Sequence, residues 1–506
     1  MTGFYISTLY LLSAVGGGIG ALAQSTDPLP SWPLQTFKTT SYQPPYLNVT
    51  KAGQTEPGFL IFAPFDFSRN ATAPLIYSDD GQLVFYGPRE GGYSLRAQEL
   101  NGERVLTYWT GAAVDGFGFG SVVILDDSYE QIGEVALPES DDNIFETIFP
   151  TDFPSYVDNH EDTITEEGTM LVTAVNVTQA DLRAVGGPKD GWVQDGLVYE
   201  IDVETNDVLF RWSTLEHIQD IPLSDVEAPL EGTGFNSSAP WGYPHLNSVA
   251  KYGDNYLISS RFMCSLFFVD KDGELIWKLH GQNGGDFELG PGTNFCYQHI
   301  ARFESQTDDM ITINIHNNEN THFTSKTIQT TGLALDLDLK TKKVTLNREL
   351  WDPVEPVYAE SQGSYQNLDN RHVLMAHGAV PKIAEFDGDG ACVMRAWFGY
   401  EGTTSAYRVF RSPWVGKPNT KPDVVACPEE GGTAVYTSWN GATHIESWDV
   451  FAGSDAENLK LVETVERNGF ETRAQFRDLL DKVAVKAVGG PNAGVKSDIV
   501  TVGEGC

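Results

Sequence analysis

The sequence predicts an all-β protein, and more closely a six-bladed β-propeller followed by a short C-terminal extension of strands or of a helix and a strand. Its 506 residues exceed one ordinary compact core, which favours two domains or one domain built from repeats. The chain contains 50 Gly, 26 Pro and 11% aromatic residues, with many short Val, Ile, Phe and Tyr runs between turn residues, as is typical of β-rich proteins. A hairpin-like pattern also returns six times.

The repeated pattern is a β-branched or aromatic run, an Asp, a turn, and a second β run that often ends in an aromatic residue. A period of roughly 45 to 70 residues with about four strands is what a propeller blade requires. Asp at the first corner of a turn accepts backbone hydrogen bonds, so we interpret these turns as hairpins rather than calcium loops. The marker residues are Asp79, Asp126, Asp202, Asp270, Asp336 and Asp387.

Four segments follow from this organisation. Residues 1–23 are expected to be a signal peptide, because Phe4 to Ala23 is apolar and residues 21–23 fit the small-x-small cleavage rule. An uncleaved anchor is the alternative, which the glycines within the segment disfavour. Residues 24–50 form a Pro-rich lead-in, 51–458 the propeller and 459–506 the extension. Within the extension, residues 469–480 fit a short helix and 482–488 alternate as a strand.

The chain is strongly acidic, with 33 basic and 70 acidic residues and a formal charge of −37. A field of this sign repels nucleic acids and anionic membrane surfaces, so neither is an expected partner. An anionic small molecule binds only where local positive groups outweigh that field. We expect no stable membrane insertion once the signal peptide is removed, and the sequence leaves the oligomeric state open.

Secretion agrees with two further features. The chain has four N-glycosylation sequons, at Asn48, Asn70, Asn176 and Asn236. The five cysteines lack metal-type spacing, so disulfides or buried thiols are favoured over zinc, and no metal or cofactor is expected. Proximity in sequence suggests pairing of Cys264 with Cys296 and of Cys392 with Cys427, which leaves Cys506 unpaired.

Candidate functional side chains lie at predicted strand boundaries, where loops at one mouth of a propeller converge. His160 lies just before a strand expected at 163–174. His245 precedes and Arg261 ends a strand expected at 248–259, and His299 begins another. A buried or capping imidazole is the alternative for any one of these histidines.

Several short motifs occur in order along the chain. They are Pro244-His245-Leu-Asn247-Ser248-Val249, Ile258-Ser259-Ser260-Arg261, Tyr297-Gln298-His299, Ser361-Gln362-Gly363-Ser-Tyr-Gln366, Tyr407-Arg408 and Ser438-Trp439-Asn440-Gly441-Ala442. Together they resemble the arylsulfotransferases of the ASST type, specifically their eukaryotic, fungal-like branch, over roughly residues 50 to 480.

The resemblance implies a six-bladed propeller that moves a sulfuryl group from a phenolic sulfate ester to a phenol through a sulfohistidine, without a nucleotide donor. It places the nucleophile on His299, the sulfate-binding pair on His245 and Arg261, and a further histidine on His160. Arg261 suits two sulfuryl oxygens, and a protonated His245 or His160 would bind the third or protonate the leaving phenoxide.

Other residues are expected to support the substrate or the imidazoles. Asn247 and Ser260 are candidates to orient the histidines. Four aromatic residues are candidates to stack on an aryl group, with blade packing as the alternative: Trp241, Tyr243, Tyr297 and Trp439. Two other functions stay open: a different reaction, such as a cyclisation or isomerisation of an aromatic or terpenoid metabolite, and a non-catalytic secreted binding protein.

Overall fold

A computed structural model describes residues 31–69, 71–88, 92–114, 116–140, 145–148, 153–324 and 327–506. The expected signal peptide and Asn70 lie outside these residues. The all-β prediction is confirmed: the described chain is built of strands, with three single-turn 3-10 helices at Leu182–Val185, Leu215–His217 and Leu223–Asp225. None of the helices in these ranges is long and apolar enough to span a membrane.

The strands form seven sheets, which are antiparallel except for one short parallel pair. The first five sheets contain the strands before residue 413, and their strands have the following bounds in chain order. Sheet 1 contains Phe59–Asp66, Ala71–Thr72, Leu75–Tyr77, Leu83–Tyr86 and Thr404–Ser412. Sheet 2 contains Tyr93–Leu100, Glu103–Val114, Phe117–Leu125, Gln131–Val135, Val157–Ile164, Thr169–Ala180, Gly191–Asp202 and Val208–Ser213. Sheet 3 contains Leu246–Tyr252, Asn255–Ser260, Ser265–Val269 and Leu275–His280. Sheet 4 contains Glu288–Leu289, His299–Gln306, Met310–Asn317, Thr331–Asp338 and Lys343–Leu350. Sheet 5 contains Asn48–Lys51, Ser364–Asn367, Val373–Ala376, Lys382–Phe386 and Cys392–Trp397.

Burial explains why these segments are strands. Phe117–Leu125 is buried along its whole length, as expected for a strand with neighbours on both edges and packing on both faces. Lys343–Leu350 exposes most of its side chains, and beyond it lies only the two-residue strand Glu288–Leu289. Strands buried on both faces lie inside the molecule, and strands that expose one face lie near its surface.

Four of the six marker aspartates act in turns as expected. Oδ1 of Asp270 accepts the backbone N–H groups of Asp272 and Glu274, both at 2.9 Å, and Asp126, Asp202 and Asp387 do the same for their own turns. Asp336 differs because it lies inside a strand, and Asp338 takes its place by accepting from the N–H of Lys340.

Two expected strands are each a hairpin instead. The strand expected at 163–174 is interrupted by a turn in which the N–H of Gly168 bonds the carbonyl of Thr165, so His160 lies within Val157–Ile164 rather than before a strand. The strand expected at 248–259 reverses at Gly253, whose φ of 55° suits glycine. The start of a strand at His299 is confirmed.

Strands from the start and from the end of residues 48–412 pair with each other. Phe59–Asp66 pairs with Thr404–Ser412, so the latter strand forms one edge of sheet 1. The lead-in strand Asn48–Lys51 pairs with Cys392–Trp397. The first and last parts of this region thus share two sheets.

The C-terminal part forms two further sheets around one hydrophobic cluster that includes Trp439 and Trp448. The short helix expected in residues 469–480 is instead the strand Glu471–Phe476, whose alternating burial matches a sheet with one packed face. The strand expected at 482–488 is confirmed. Sheet 6 contains Asp423–Glu429, Gly432–Ser438 and Glu471–Phe476, and sheet 7 contains Ser447–Gly453, Lys460–Glu466, Lys482–Val488 and Val500–Thr501.

The disulfides confirm one of the two expected pairs. Cys264 pairs with Cys296, but the second bridge joins Cys427 to Cys506, so the expected pairing of Cys392 with Cys427 is wrong. The C-terminal residues run beside the strand of Cys427, where the N–H of Gly503 bonds the carbonyl of Ala426 at 2.8 Å. Cys392 lies in sheet 5 as a free thiol, and burial raises its pKa to about 11.

Candidate active site

Three histidines and one arginine from three sheets lie together in the interior. His160 lies within the strand Val157–Ile164 of sheet 2, His245 and Arg261 flank the first hairpin of sheet 3, and His299 begins the strand His299–Gln306 of sheet 4. All four are buried. The ring centroids of His160 and His245 are 5.0 Å apart, and Tyr407 lies 5.4 Å from His160 and 6.4 Å from His299. The four residues expected from the sequence therefore converge.

His160 is held by a buried carboxylate. Its Nδ1 is hydrogen-bonded to Asp158 Oδ2. The other oxygen of Asp158 accepts the N–H of Gly118 at 2.7 Å, and Thr173 donates its hydroxyl to Oδ2 at 3.1 Å. A carboxylate on Nδ1 stabilises a protonated imidazole and directs Nε2 away from it. His160 thus has the environment of an acid–base group.

His299 is held by neutral groups. Its Nδ1 lies 2.7 Å from Oδ1 of Asn318, and its Nε2 accepts the backbone N–H of Gln362 at 3.1 Å. Gln362 lies two residues before the strand Ser364–Asn367 of sheet 5, and Asn318 directly follows the strand Met310–Asn317 of sheet 4. No charged group bonds the ring directly in the part of the chain that the structure describes.

His245 is placed by a strained backbone. Its φ is 60°, a conformation that costs a non-glycine residue about 1–2 kcal/mol and is often found at functional sites. The N–H of Arg261 donates to the carbonyl of His245 at 2.9 Å, and the imidazole packs between Phe117 and Phe262 with centroids at 4.5 and 4.6 Å. Nδ1 of His245 is buried with no hydrogen-bond partner among the described residues.

Arg261 carries a buried positive charge. Its Nη2 donates to the carbonyl of Glu360 at 2.9 Å and to the hydroxyl of Thr321 at 3.4 Å. Burial lowers the pKa of Arg261 to about 10, which leaves it charged at neutral pH. Nε has no partner within the described ranges, and no carboxylate there pairs with the guanidinium. An uncompensated buried cation of this kind favours an anionic ligand.

Burial, together with the charge of Arg261, lowers the pKa of both His245 and His299 well below the ordinary value. Both imidazoles are therefore neutral at pH 7. The cluster combines a fixed cation, two neutral imidazoles and one imidazole on a carboxylate, which is the set of groups that transfer of an anionic group requires.

The family model described as arylsulfotransferase (ASST) matches residues 96–399, which include the four converging side chains. The chain belongs to the arylsulfotransferase family. No curated protein matches its sequence.

Solved structures similar to this arylsulfotransferase-family protein share little sequence with it. They include an α-L-arabinanase of Penicillium chrysogenum complexed with arabinobiose, with 9% identity and a TM-score of 0.32 over 81% of this chain and 93% of that chain. The α-L-arabinofuranosidase Arb93A of Fusarium graminearum, as a mutant, has 10% identity and a TM-score of 0.34 over 87% and 98%. A catalytically inactive virginiamycin B lyase of Staphylococcus aureus with quinupristin has 8% identity and a TM-score of 0.31 over 78% and 97%. TM-scores of this size carry no argument about this chain.

Two of the polar residues expected to assist the site bond backbone carbonyls next to its histidines. The side-chain amide of Asn247 donates to the carbonyl of Gln298 at 2.7 Å, directly before His299. The hydroxyl of Ser260 donates to the carbonyl of Pro244 at 3.0 Å, directly before His245. In this arylsulfotransferase-family protein both residues therefore join neighbouring backbone segments of the site.

The four aromatic residues expected to stack on an aryl group lie in different places. Tyr297 contacts Phe323 beside the Arg261 segment, with centroids 5.6 Å apart. Trp241 and Tyr243 are buried in the core of sheets 2 and 3, and their polar atoms bond the carbonyls of Ala228 and Ile221. Trp439 lies in the C-terminal cluster, where its Nε1 donates to Thr420 at 3.0 Å.

The structure also brings in groups to which the sequence analysis assigned no role at the site. The disulfide between Cys264 and Cys296 joins the segment after Arg261 to the segment before His299. Asp158 lies two residues from His160 on one strand, so strand alternation alone predicts that the two share a face. Asn318 has no comparable signal, because its contact with His299 depends on how two strands of sheet 4 end. The other added groups are Phe117, Phe262, Gln362 and Tyr407.

The neutral histidines predict a pH dependence of stability. An unfolded histidine takes up a proton near pH 6.5, but His245 and His299 resist protonation in the folded protein. Their contribution to the free energy of unfolding is complete well above that pH and is lost as the pH falls through it. Denaturant unfolding measures the slope between pH 7.5 and 5.5, and the expected loss over these two pH units is about 1.4 kcal/mol for each histidine.

A matched pair of variants isolates the contribution of His299. His299→Asn is expected to lower the slope by the share of one histidine, about 1.4 kcal/mol over these two pH units. His444→Asn changes an exposed histidine and is expected to leave the slope unchanged. Equal slopes for the two variants would contradict a neutral, buried His299.

Proposed function

We propose that this protein transfers a sulfuryl group from an aryl sulfate ester to a phenol through a covalent sulfohistidine at His299. The observation that carries the proposal is a neutral, buried His299 in the same cluster as the uncompensated Arg261 and the carboxylate-bound His160. Membership of the arylsulfotransferase family agrees with this chemistry.

In the first step, the lone pair on Nε2 of His299 attacks sulfur while the bond between sulfur and the aryl oxygen breaks. The electron pair of that bond goes to the aryl oxygen, which takes a proton from Nε2 of His160 and leaves as a phenol. Attack requires that the hydrogen bond from the N–H of Gln362 to Nε2 opens first.

In the second step, an acceptor phenol gives its proton to His160 while its oxygen attacks sulfur. The bond between sulfur and Nε2 breaks and its electron pair returns to His299, so the enzyme is regenerated and no redox partner is consumed. Sulfuryl transfer resembles phosphoryl transfer in spreading negative charge over the peripheral oxygens. We assign these oxygens to Arg261 and to the unpartnered Nδ1 of His245.

The aryl group is proposed to lie against aromatic side chains near the histidines. Phe262 contacts His245 and lies 5.7 Å from Phe323, which in turn contacts Tyr297. Phe117 covers the other face of His245. Rings in this arrangement can stack on a phenol or meet it edge-on. Asn247 and Ser260 are proposed to act through the backbone segments of His299 and His245.

We further propose that the first five sheets form six blades of a propeller. The strand order supports this, since the strands between Phe59 and Ser412 divide into six antiparallel groups of four, the first of which is completed by the late strand Thr404–Ser412. The strands Val157–Ile164 and Phe117–Leu125 of sheet 2 share one paired position, Val157 with Gly120, which is where two blades would meet. The inner strands of five such groups supply or adjoin the site residues.

A fungal-type secreted glycoprotein is the proposed setting. Two disulfides are compatible with the secretory route. The asparagines of the sequons at Asn48 and Asn236 are exposed, and Asn176 is half-buried. The signal peptide and the sequon at Asn70 remain expectations from the sequence.

The test is a double-displacement assay on the protein produced through a eukaryotic secretory host. With 4-nitrophenyl sulfate alone, we expect a burst of nitrophenolate no larger than the enzyme concentration; with added phenol, we expect steady turnover and ping-pong kinetics. Mass spectrometry of the quenched burst is expected to place one sulfuryl group on the peptide that contains His299. Binding of the ester without nitrophenolate release would overturn the proposal and favour another reaction or a binding role.

A further inference from the structure

Asn318 connects His299 to the loop that precedes the inner strand of sheet 5. Its side-chain nitrogen donates to the carbonyls of Gln362 at 3.0 Å and Ala359 at 3.3 Å. A flipped amide would face two carbonyl oxygens with its own oxygen, which is repulsive. The orientation is therefore fixed, and Oδ1 faces His299.

Two independent hydrogen bonds then define the protonation of the His299 ring. Oδ1 of Asn318 is only an acceptor, so Nδ1 of His299, at 2.7 Å, must carry the hydrogen. The N–H of Gln362 is only a donor, so Nε2, at 3.1 Å, must present a lone pair. Both bonds give the same neutral tautomer, with hydrogen on Nδ1.

Two further histidines, His316 and His377, lie behind Asn318, and His316 contacts its Oδ1. Nδ1 of His316 lies 3.4 Å from the same Oδ1, and Nε2 of His316 lies 3.3 Å from Nδ1 of His377. All three side chains are buried. If Nδ1 of His316 donates to Asn318, then Nε2 of His316 accepts the hydrogen on Nδ1 of His377. Each histidine then donates to the next residue, from His377 through His316 to Asn318.

We infer that Asn318 is the positioning residue that fixes the Nδ1–H tautomer of His299 and thereby makes Nε2 the atom that receives the sulfuryl group. This rests on the function proposed above. An amide suits the task because it accepts a hydrogen bond without adding charge, whereas a carboxylate favours the protonated ring. The contrast between Asn318 on His299 and Asp158 on His160 separates the nucleophile from the acid–base group.

The same amide also holds the backbone that covers Nε2. Gln362 and Ala359 are both bonded to Asn318, and Gln362 has a φ of 65°. Asn318 thus keeps Nε2 of His299 free of hydrogen. It also holds the segment of Gln362, whose N–H must move away from Nε2 before attack.

Asn318→Asp tests the charge argument. The groups that face His299 are Arg261, His316, His160 and the ring of Tyr407. A carboxylate in place of the amide is expected to move the acidic limb of the nitrophenolate burst rate upward by about 1–2 pH units. An unchanged limb in a variant that still folds and still releases nitrophenolate would overturn the inference.

Asn318→Ala tests the tautomer argument. It is expected to lower kcat by at least about 10²-fold with little change in KM, because the attacking nitrogen then carries the hydrogen in nearly all of the population. Asn314→Ala is the matched control, a buried asparagine on the neighbouring strand whose Oδ1 has no partner among the described residues. Equal losses in the two alanine variants, or a loss confined to KM, would contradict the inference.

A readout that does not depend on activity separates this inference from the proposed function. In ¹⁵N-histidine NMR spectra at pH 7.5, with the His299 signals assigned by their absence in His299→Asn, we expect hydrogen on Nδ1 in the wild type and a shift toward hydrogen on Nε2 in Asn318→Ala. A wild type with hydrogen on Nε2, or an unchanged tautomer in the variant, would overturn the role of Asn318. If no sulfuryl transfer is detected but the tautomer changes as expected, only the proposed function fails.

Discussion

His299→Asn is expected to lower sulfuryl transfer by about 10⁴-fold or more, because the proposed mechanism places the covalent bond on His299. Asparagine keeps a polar side chain in a buried position but offers no basic nitrogen. The variant is expected to bind 4-nitrophenyl sulfate, since Arg261 and His245 remain, yet to give neither a burst nor a sulfated peptide. Burst kinetics and mass spectrometry measure the loss, and ligand titration checks that the ester still binds.

The control for this variant is His444→Asn, which changes an exposed histidine in the C-terminal part. It is expected to keep the wild-type burst, and unfolding curves for both variants show whether the fold persists. Transfer by His299→Asn within about tenfold of the wild type would remove the nucleophile from His299, given that loss of a covalent nucleophile has a far larger effect. His245→Asn would then be the next variant to examine.

Glu161→Gln is expected to lower the free energy of unfolding by about 3–5 kcal/mol, the usual cost of breaking a buried ion pair from one side. Glu161 is buried and lies 2.7 Å from Arg302 and 3.1 Å from Arg408, with Arg96 at 3.7 Å. Three guanidinium groups then share one remaining carboxylate, Asp162, which pairs with Arg96. Chemical denaturation at pH 7 measures the change.

A solvent-exposed pair of the same residue types provides the comparison. Glu216 lies 2.8 Å from Arg211, but its side chain is 57% exposed, so Glu216→Gln is expected to cost less than about 1 kcal/mol. Equal effects of the two substitutions would show that the buried network contributes no more than a surface pair.

The Glu161 network also gives a direction for acid unfolding. Burial raises the pKa of Glu161, but attraction to Arg302, Arg408 and Arg96 outweighs it and holds the pKa well below the ordinary range. The contribution of Glu161 is therefore present above the pKa of an unfolded glutamate, about 4.3, and is lost as the pH falls below it. Glu161→Gln should remove this part of the acid sensitivity.

The sequence was sufficient for the fold class and for the four converging residues, because both depend on local patterns. Short β runs between turn residues predict strands, and the motifs that contain His245, Arg261 and His299 each lie at the end of a strand. The bounds of the strands were less predictable where the residues of a turn carry no strong turn signal. The turn at 165–168 contains one glycine in a run that otherwise continues the strand.

Contacts between distant segments could not be read from the sequence. The pairing of Cys427 with Cys506 depends on the C-terminal residues returning beside sheet 6. Whether Trp241 packs in a core or faces a ligand depends on which side of its segment other sheets cover. Asn318 and Gln362 meet His299 from positions 19 and 63 residues away, so only the folded chain brings them together.

The pairing of Phe59–Asp66 with Thr404–Ser412 has a consequence for how the protein is made. Tyr407 and Arg408 lie on the later strand, and Arg408 donates to the carbonyl of Asn247 at 2.8 Å and pairs with Glu161. On the ribosome, the earlier strand emerges long before its partner exists, and domains usually begin to fold from the N-terminal side during synthesis. The candidate site residues are therefore all translated before Tyr407 and Arg408, and a nascent chain that stops short of residue 404 has the histidines and Arg261 but lacks the strand that packs beside them.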